Sequence, residues 1–196
     1  MACMFELLQE KISKNITISE EDFRFCQSLF QPKKLKKKRF LLGEGDVCKH
    51  IAFVEKGLLR AYIIDEKGSE HILQFALEGW WIADLSSFLT GEPSRYYIEA
   101  LEDTELLLLS YPARDILLEK IPAFERFFRI LIENNLIVTQ RRLIASFSDT
   151  AEEKYQKLVQ RFPYILQRVP LHMIAAYLGI TRETLSRVRT QLASRK

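Results

Sequence analysis

Residues 122–147, PAFERFFRILIENNLIVTQRRLIASF, contain no glycine, and their only proline stands at the first position. Proline there is compatible with a first helical turn, so the run predicts one helix of roughly seven turns. Phe124, Phe128, Leu131, Val138 and Ala145 form one apolar line along it, and Phe127, Ile130, Ile137 and Ile144 form a second face. A helix apolar on two faces needs two partners. Its own domain supplies one, and the spacing predicts the same helix of a second copy as the other, packed as a short two-fold coiled coil. Asn135 and Arg142 are polar intrusions in that seam.

Upstream the texture differs. From Leu35 to Ser110, short apolar runs (LKKKRFLL, IAFVEKG, LLRAYIIDEKG, SEHILQFALEG, YYIEALEDT, ELLLLS) alternate with glycine-containing turns. Strands at such spacing predict an antiparallel roll or sandwich. A helix is expected over 19–30, where Ser19 precedes three acids and an apolar repeat, and ARDILLEK predicts another before Pro122. The basic run Lys33, Lys34, Lys36, Lys37, Lys38 and Arg39 falls where the strands begin. It suits a solvated sheet edge guarded by lysines against edge pairing. After the long helix, Ser148, Asp149 and Thr150 offer a break and a fresh N-cap before AEEKYQKLVQRF.

The fold class expected is therefore α+β. An antiparallel β-roll of the double-stranded β-helix or jelly-roll kind spans 1–121, a long dimerisation helix and hinge 122–149, and a helical domain 150–196. With 47% hydrophobic and 28% charged residues the chain is ordinary for a globular protein. No apolar run approaches the ~18 residues of a membrane span, which predicts a cytoplasmic protein without a membrane partner. Cys3, Cys26 and Cys48 show no CxxC pairing and no zinc-type spacing to histidine, so they read as reduced thiols and no metal site is expected.

The C-terminal segment LHMIAAYLGITRETLSRVRTQLASRK carries the most specific signal. A short helix over 171–178 is ended by Gly179, which tolerates the left-handed conformation. Ile180 is placed to plug the angle to a second helix over 182–195, and Thr181 is a suitable N-cap for it. That order of parts is a helix-turn-helix. Leu185, Val188 and Leu192 must face inward, leaving Arg182, Glu183, Ser186, Arg187, Arg189 and Gln191 outside. Arg187 suits a bidentate contact to guanine, and Glu183 can accept from the cytosine amino group. From Arg168 to Lys196 six cations face one acid, giving +5, so the remaining 167 residues carry −2 of the chain's +3. Such asymmetry fits a basic nucleic-acid module on a near-neutral body.

The string GITRETLSRVR resembles the helix-turn-helix of the Crp/Fnr superfamily, and the roll followed by a long helix resembles that family over essentially the whole chain. The resemblance implies a homodimer binding palindromic sites on double-stranded DNA, with RNA polymerase as a further partner. DNA contacts are implied at Thr181, Arg182, Glu183, Ser186, Arg187 and Arg189. Glu183 with Ser186 and Arg187 resembles the Fnr-type E-x-x-S-R pattern. Family members usually continue into a β-hairpin wing, and this chain stops at Lys196, so a truncated wing is expected.

The family's cyclic-nucleotide cassette, G-E-[LM]-[AGS] followed by R-[ST], corresponds here to EGWWIADLSSFLTGEPSRYYIEA. Ala83 and Asp84 stand where Gly and Glu are expected, and Ser94 and Arg95 appear in reverse order. An aspartate reaches about 1.5 Å less far than a glutamate, and an arginine shifted by one strand position points to the opposite face. The effector pocket the resemblance implies comprises Asp84, Leu85, Ser86, Ser94, Arg95, Tyr97, Asn135 and Thr139, with Trp80 or Trp81 in its wall and Tyr96 and Tyr97 adding bulk. The departures predict no cofactor and no cAMP response. Three scattered cysteines fall short of the roughly four an iron–sulfur cluster needs, and His50 and His71 form no evident axial pair for haem. Other readings are a cAMP-activated regulator, a degenerate sensor acting through protein contacts, and a cupin-type enzyme. The last would require a His and carboxylate cluster, typically H-x-H, that the sequence lacks. No catalytic residues are expected.

Overall fold

A computed structural model describes residues 4–194; Cys3, Arg195 and Lys196, named above, lie outside them. The helices α1 (Glu6–Ser13) and α2 (Glu20–Leu29) precede the strands β1 (Gln31–Leu35), β2 (Phe40–Leu42), β3 (His50–Lys56), β4 (Leu59–Ile64), β5 (Glu70–Ala76) and β6 (Trp81–Ile82). The short helix α3 (Leu85–Thr90) leads to β7 (Tyr97–Ala100) and β8 (Thr104–Ser110). The rest is helical: α4 (Tyr111–Lys120), α5 (Ala123–Ser148), α6 (Ala151–Arg161), α7 (Ile165–Arg168), α8 (Leu171–Leu178) and α9 (Arg182–Ala193).

The strands form two four-stranded sheets, ordered β1-β8-β3-β6 and β2-β7-β4-β5. The pairings with described register are antiparallel, as the alternating turns required. Ile51 to Val54 of β3 are all buried, because β3 is an inner strand covered on both faces. Helix α1, which the sequence reading did not anticipate, supplies part of that cover. Its Leu8 and Ile12 stand four apart on one helical face, and both are fully buried, worth about 2 kcal/mol each in burial. Leu8 N also donates to Glu55 Oε1 at 3.0 Å. Strand β1 stands at a sheet edge, which accounts for its lysines. Lys34 pairs with Glu105 and Lys36 with Asp103.

The expected caps are present. Ser19 Oγ accepts from Asp22 N while the Asp22 carboxylate accepts from Ser19 N, closing a capping box, and Thr150 with Glu153 repeats it at α6.

By contact density the chain divides into two compact units, Met1–Ile63 with Gln74–Glu133, and Ile64–Leu73 with Asn134–Lys196. The first holds the main core. Trp81 lies there within an aromatic cluster, its ring centroid 5.2 Å from Phe53, 6.1 Å from Phe30, 6.0 Å from Phe128 and 6.3 Å from Phe127. Of the two tryptophans expected for an effector-pocket wall, Trp81 is the one held in this cluster. As a partner of β3 through the Phe53↔Trp81 pair, its indole points into the core.

In the second unit α6, α8 and α9 pack around Leu158, Phe162, Ile165, Ile174, Leu185 and Val188, all buried. Arg142, expected as an intrusion in the seam, instead turns to the hairpin tip and the helical domain. Its guanidinium donates to the carbonyls of Leu73, Ile72 (3.4 Å) and Tyr177 (3.5 Å) and lies 4.2 Å from the Tyr177 ring centroid.

The long helix forms as expected, and its outward face needs correction. Phe124 and Phe127 are buried, and Phe128, Leu131, Val138 and Ala145 are half-buried, so the line predicted for the seam is largely covered by the chain itself. The exposed stripe is Ile132, Leu136, Leu143 and Phe147, flanked by Ile137 and Ile144. Phe147 is 83% exposed, an extreme for so large an apolar side chain.

Candidate nucleic-acid interface and sensor cassette

Gly179 at φ 66° ends α8 in the left-handed region, where a Cβ would be strained. Ile180 N donates back to Ala175 O at 3.1 Å, and Ile180, in the turn joining the two helices it was expected to plug, is half-buried. Thr181 caps α9, its Oγ1 accepting from Thr184 N at 3.2 Å. Thr181 is thus a structural cap as well as a candidate contact. Leu185 and Val188 are buried and Leu192 is half-buried, so the inward face is the one the spacing selected.

On the outward face Arg182, Glu183, Ser186 and Arg187 are exposed and, with Thr190 and Gln191, line one open groove of about 620 Å³. Arg189 lies apart from them and is half-buried, since two residues beyond Arg187 turn it about 200° around the helix axis. Thr190, one turn beyond Ser186, was missed by the sequence reading. The same i, i+4 spacing that groups Arg182 with Ser186 would have found it. Its hydroxyl donates to Ser186 O at 3.1 Å. The Glu183 carboxyl is held below the ordinary carboxylate range by hydrogen bonds from its own backbone N–H and Thr181, and by the Arg182 charge. It therefore faces the groove as an ionised acceptor between two arginines.

The cassette region is organised by Asp84, which is buried. It is the N-cap of α3, Oδ1 accepting from Ser87 N at 3.1 Å, while Oδ2 accepts from Ser94 Oγ at 2.8 Å. An aspartate before LSSFLT with Gly91 behind it is a capped-helix signature. Ser87, absent from the predicted site, is buried and bridges two chain segments, its Oγ accepting from Cys48 N at 2.9 Å and donating to Glu92 O at 2.5 Å. Ser94 N donates to Asp46 O and Gly45 N to Ser94 O, each at 2.8 Å.

Among the predicted effector residues of the first unit, Asp84 and Ser94 are bonded to each other, whereas Leu85, Ser86 and Arg95 are exposed. Ser94 and Arg95 precede β7 rather than lying in it, so the expected strand alternation does not apply to them; Ser94 is buried and Arg95 exposed. Tyr97 stacks on Tyr62 at 5.2 Å and donates from its hydroxyl to Glu44 Oε2 at 2.9 Å. Expected as bulk in the effector pocket, Tyr97 lies on the Tyr62 face of the β4–β7 pair. Asn135 and Thr139 belong to the second unit, both exposed, with Thr139 Oγ1 donating to Asn135 Oδ1 at 3.3 Å. His71 Nε2 lies 2.8 Å from Asp65 Oδ2 on the hairpin tip. Among the described residues no group of three or more His, Cys, Asp and Glu side chains is placed to hold a metal ion. No described helix is long and apolar enough to cross a membrane.

Fold and sites together define a class: a cyclic-nucleotide-type β-roll joined by a long helix to a helix-turn-helix. Residues 32–120 match the cyclic nucleotide-binding domain family. Over 186 residues the chain is 27% identical to the fumarate and nitrate reduction regulatory protein of Vibrio cholerae, covering 88% of this chain and 73% of that one. It is 29% identical over 171 residues to the transcriptional activator protein anr of Pseudomonas aeruginosa, covering 80% and 68%. FixK2 from Bradyrhizobium japonicum shares the fold with a TM-score of 0.75 over 85% of each chain, at 21% identity. The chain thus carries a domain of the cyclic nucleotide-binding family and is similar over most of its length to the two regulators from Vibrio cholerae and Pseudomonas aeruginosa.

Proposed function

We propose that this chain is a cytoplasmic, homodimeric regulator that binds inverted-repeat promoter DNA, with α9 of each copy in the major groove of one half-site, and that cAMP does not control it. The observation that carries the reading is the outward face of α9. Arg182, Glu183, Ser186 and Arg187 stand together at the start of a capped helix, the part of a recognition helix that reaches base edges. An acid set among arginines weakens attraction to phosphate and favours base reading by hydrogen bonds. The exposed stripe from Ile132 to Phe147 supports self-association, since apolar side chains in a row at helical spacing suit burial against a second helix.

The cassette geometry argues against a cyclic phosphate. In the first turn of α3, Ser87 N already donates to the Asp84 carboxylate, Ser94 is spent on the same carboxylate, and Arg95 faces solvent. A phosphate brought there would be desolvated beside a carboxylate without a facing cation, which costs several kcal/mol. Selection from a random-sequence duplex pool tests the DNA reading. Recovery of an inverted repeat with half-sites about 10 base pairs apart supports it, and recovery of no consensus opposes it.

A further inference from the structure

Lys33 and Lys49 are exposed and have no carboxylate partner among the described residues, whereas Lys34 and Lys36 of the same basic run pair with Glu105 at 3.3 Å and Asp103 at 2.7 Å. The two unpaired lysines, with His50, rim a groove of about 650 Å³ in the first unit. It opens between β1 and β2, which are edge strands of the two sheets. Buried Leu42, Ile98 and Leu108 form its floor. Asp46 is the acid in the lining, and its Oδ2 already accepts from Gly43 N at 3.3 Å. Burial and then the charges of Lys33 and Lys49 hold His50 below the ordinary histidine range, so the two ammonium groups act on a common point of the rim.

An apolar floor under unpaired cations suits one chemistry, and the volume lies in the range of about 300–1,000 Å³ in which small ligands are held. We propose that this groove binds a small organic anion, its apolar body on Leu42, Ile98 and Leu108 and its carboxylate or phosphate between Lys33 and Lys49. The groove is separate from the Asp84–Ser94 cassette yet bonded to it. The lining segment Gly45–Lys49 is tied to Ser94 and Ser87 through Gly45 N, Asp46 O and Cys48 N. Occupancy of the groove therefore bears directly on the support of α3. The proposal does not rest on DNA binding, and either can fail alone.

The test is a titration of the full ¹⁵N-labelled chain with benzoate, phenyl phosphate and, as the neutral control, benzyl alcohol. Saturable shifts of the Val47, Lys49 and His50 amides with one or both anions, and none with the alcohol, are expected. The double charge reversal Lys33→Glu/Lys49→Glu should raise Kd by about tenfold or more, equivalent to losing one charge-assisted contact. The control pair Lys34→Glu/Lys36→Glu should leave it within about twofold, as surface charges facing elsewhere do. All four positions are exposed, so the variants fold, and unchanged amide shifts outside the groove verify it. Absence of saturable shifts with both anions, equal binding of the alcohol, or equal effects of the two double variants overturns the proposal.

Discussion

Ser94 Oγ donates to Asp84 Oδ2 at 2.8 Å across ten residues of sequence, joining the two halves of the cassette through a buried side-chain pair. The Asp84 carboxylate is part of the protein's own support. Calorimetric titration with cAMP and cGMP should therefore show no binding at micromolar concentration, and cAMP should leave DNA affinity unchanged. A micromolar or tighter Kd for either nucleotide contradicts this reading of the pair.

The exposed stripe on α5 makes a prediction about assembly. Leu136→Asp/Leu143→Asp places two charges where the structure leaves apolar surface uncovered, so sedimentation should find the wild type dimeric and this variant monomeric at micromolar concentration, with DNA binding lost. Leu131→Asp/Val138→Asp instead strikes half-buried positions and should lower the stability of the monomer itself. A wild-type monomer, or a dimer untouched by the first variant, rules out the stripe as the interface.

Arg60 is a buried cation in β4, its Nε and Nη2 bonded to Glu99 Oε2 at 2.8 and 2.7 Å and its guanidinium 4.0 Å from the Tyr62 ring centroid. Removing one member leaves the other charge buried. Glu99→Ala should cost about 3–5 kcal/mol in denaturant unfolding, and the double change Arg60→Met/Glu99→Leu should cost much less. Equal losses in the two variants would show that the pair contributes through packing alone.

Burial pushes the Cys26 thiol up to about 12 and raises that of Cys48 in the same direction. Since the thiolate is the reacting species, a raised value suppresses alkylation through the neutral range. Peptide mapping after iodoacetamide at pH 8 should find both residues unmodified in the native protein and modified once it is unfolded in denaturant. Rapid native alkylation of Cys26 would show that its helix opens readily.

Local rules made much of this molecule legible. Gly179 and Thr181 marked the turn and cap of the helix-turn-helix, Ser19 and Thr150 marked capped helix starts, and the rhythm of short apolar runs marked the roll. Other features depend on contacts distant in sequence. Helix α5 is apolar over so much of its circumference that periodicity alone could not select its outward line, which packing moved from Leu131 and Val138 to Leu136 and Leu143. Arg142 reads as an intrusion in its own helix and is explained only by carbonyls of the hairpin tip. Helix α1 is short, and what fixes it is burial of Leu8 and Ile12 rather than propensity. The departure of the cassette from the family pattern was visible at Ala83 and Asp84, whereas the partnership of Asp84 with Ser94 required the fold.

Base reading by α9 is measured by fluorescence anisotropy with wild-type and Arg187→Ala protein, on a selected inverted repeat and on its scrambled counterpart at physiological salt. Wild-type protein should prefer the repeat by at least about a thousandfold. Arg187→Ala should lose ~1–3 kcal/mol on the repeat with relaxed choice at one base pair per half-site, and much less on the scrambled duplex. Equal wild-type affinity for the two duplexes, or an equal loss on both from Arg187→Ala, would contradict base reading by this helix.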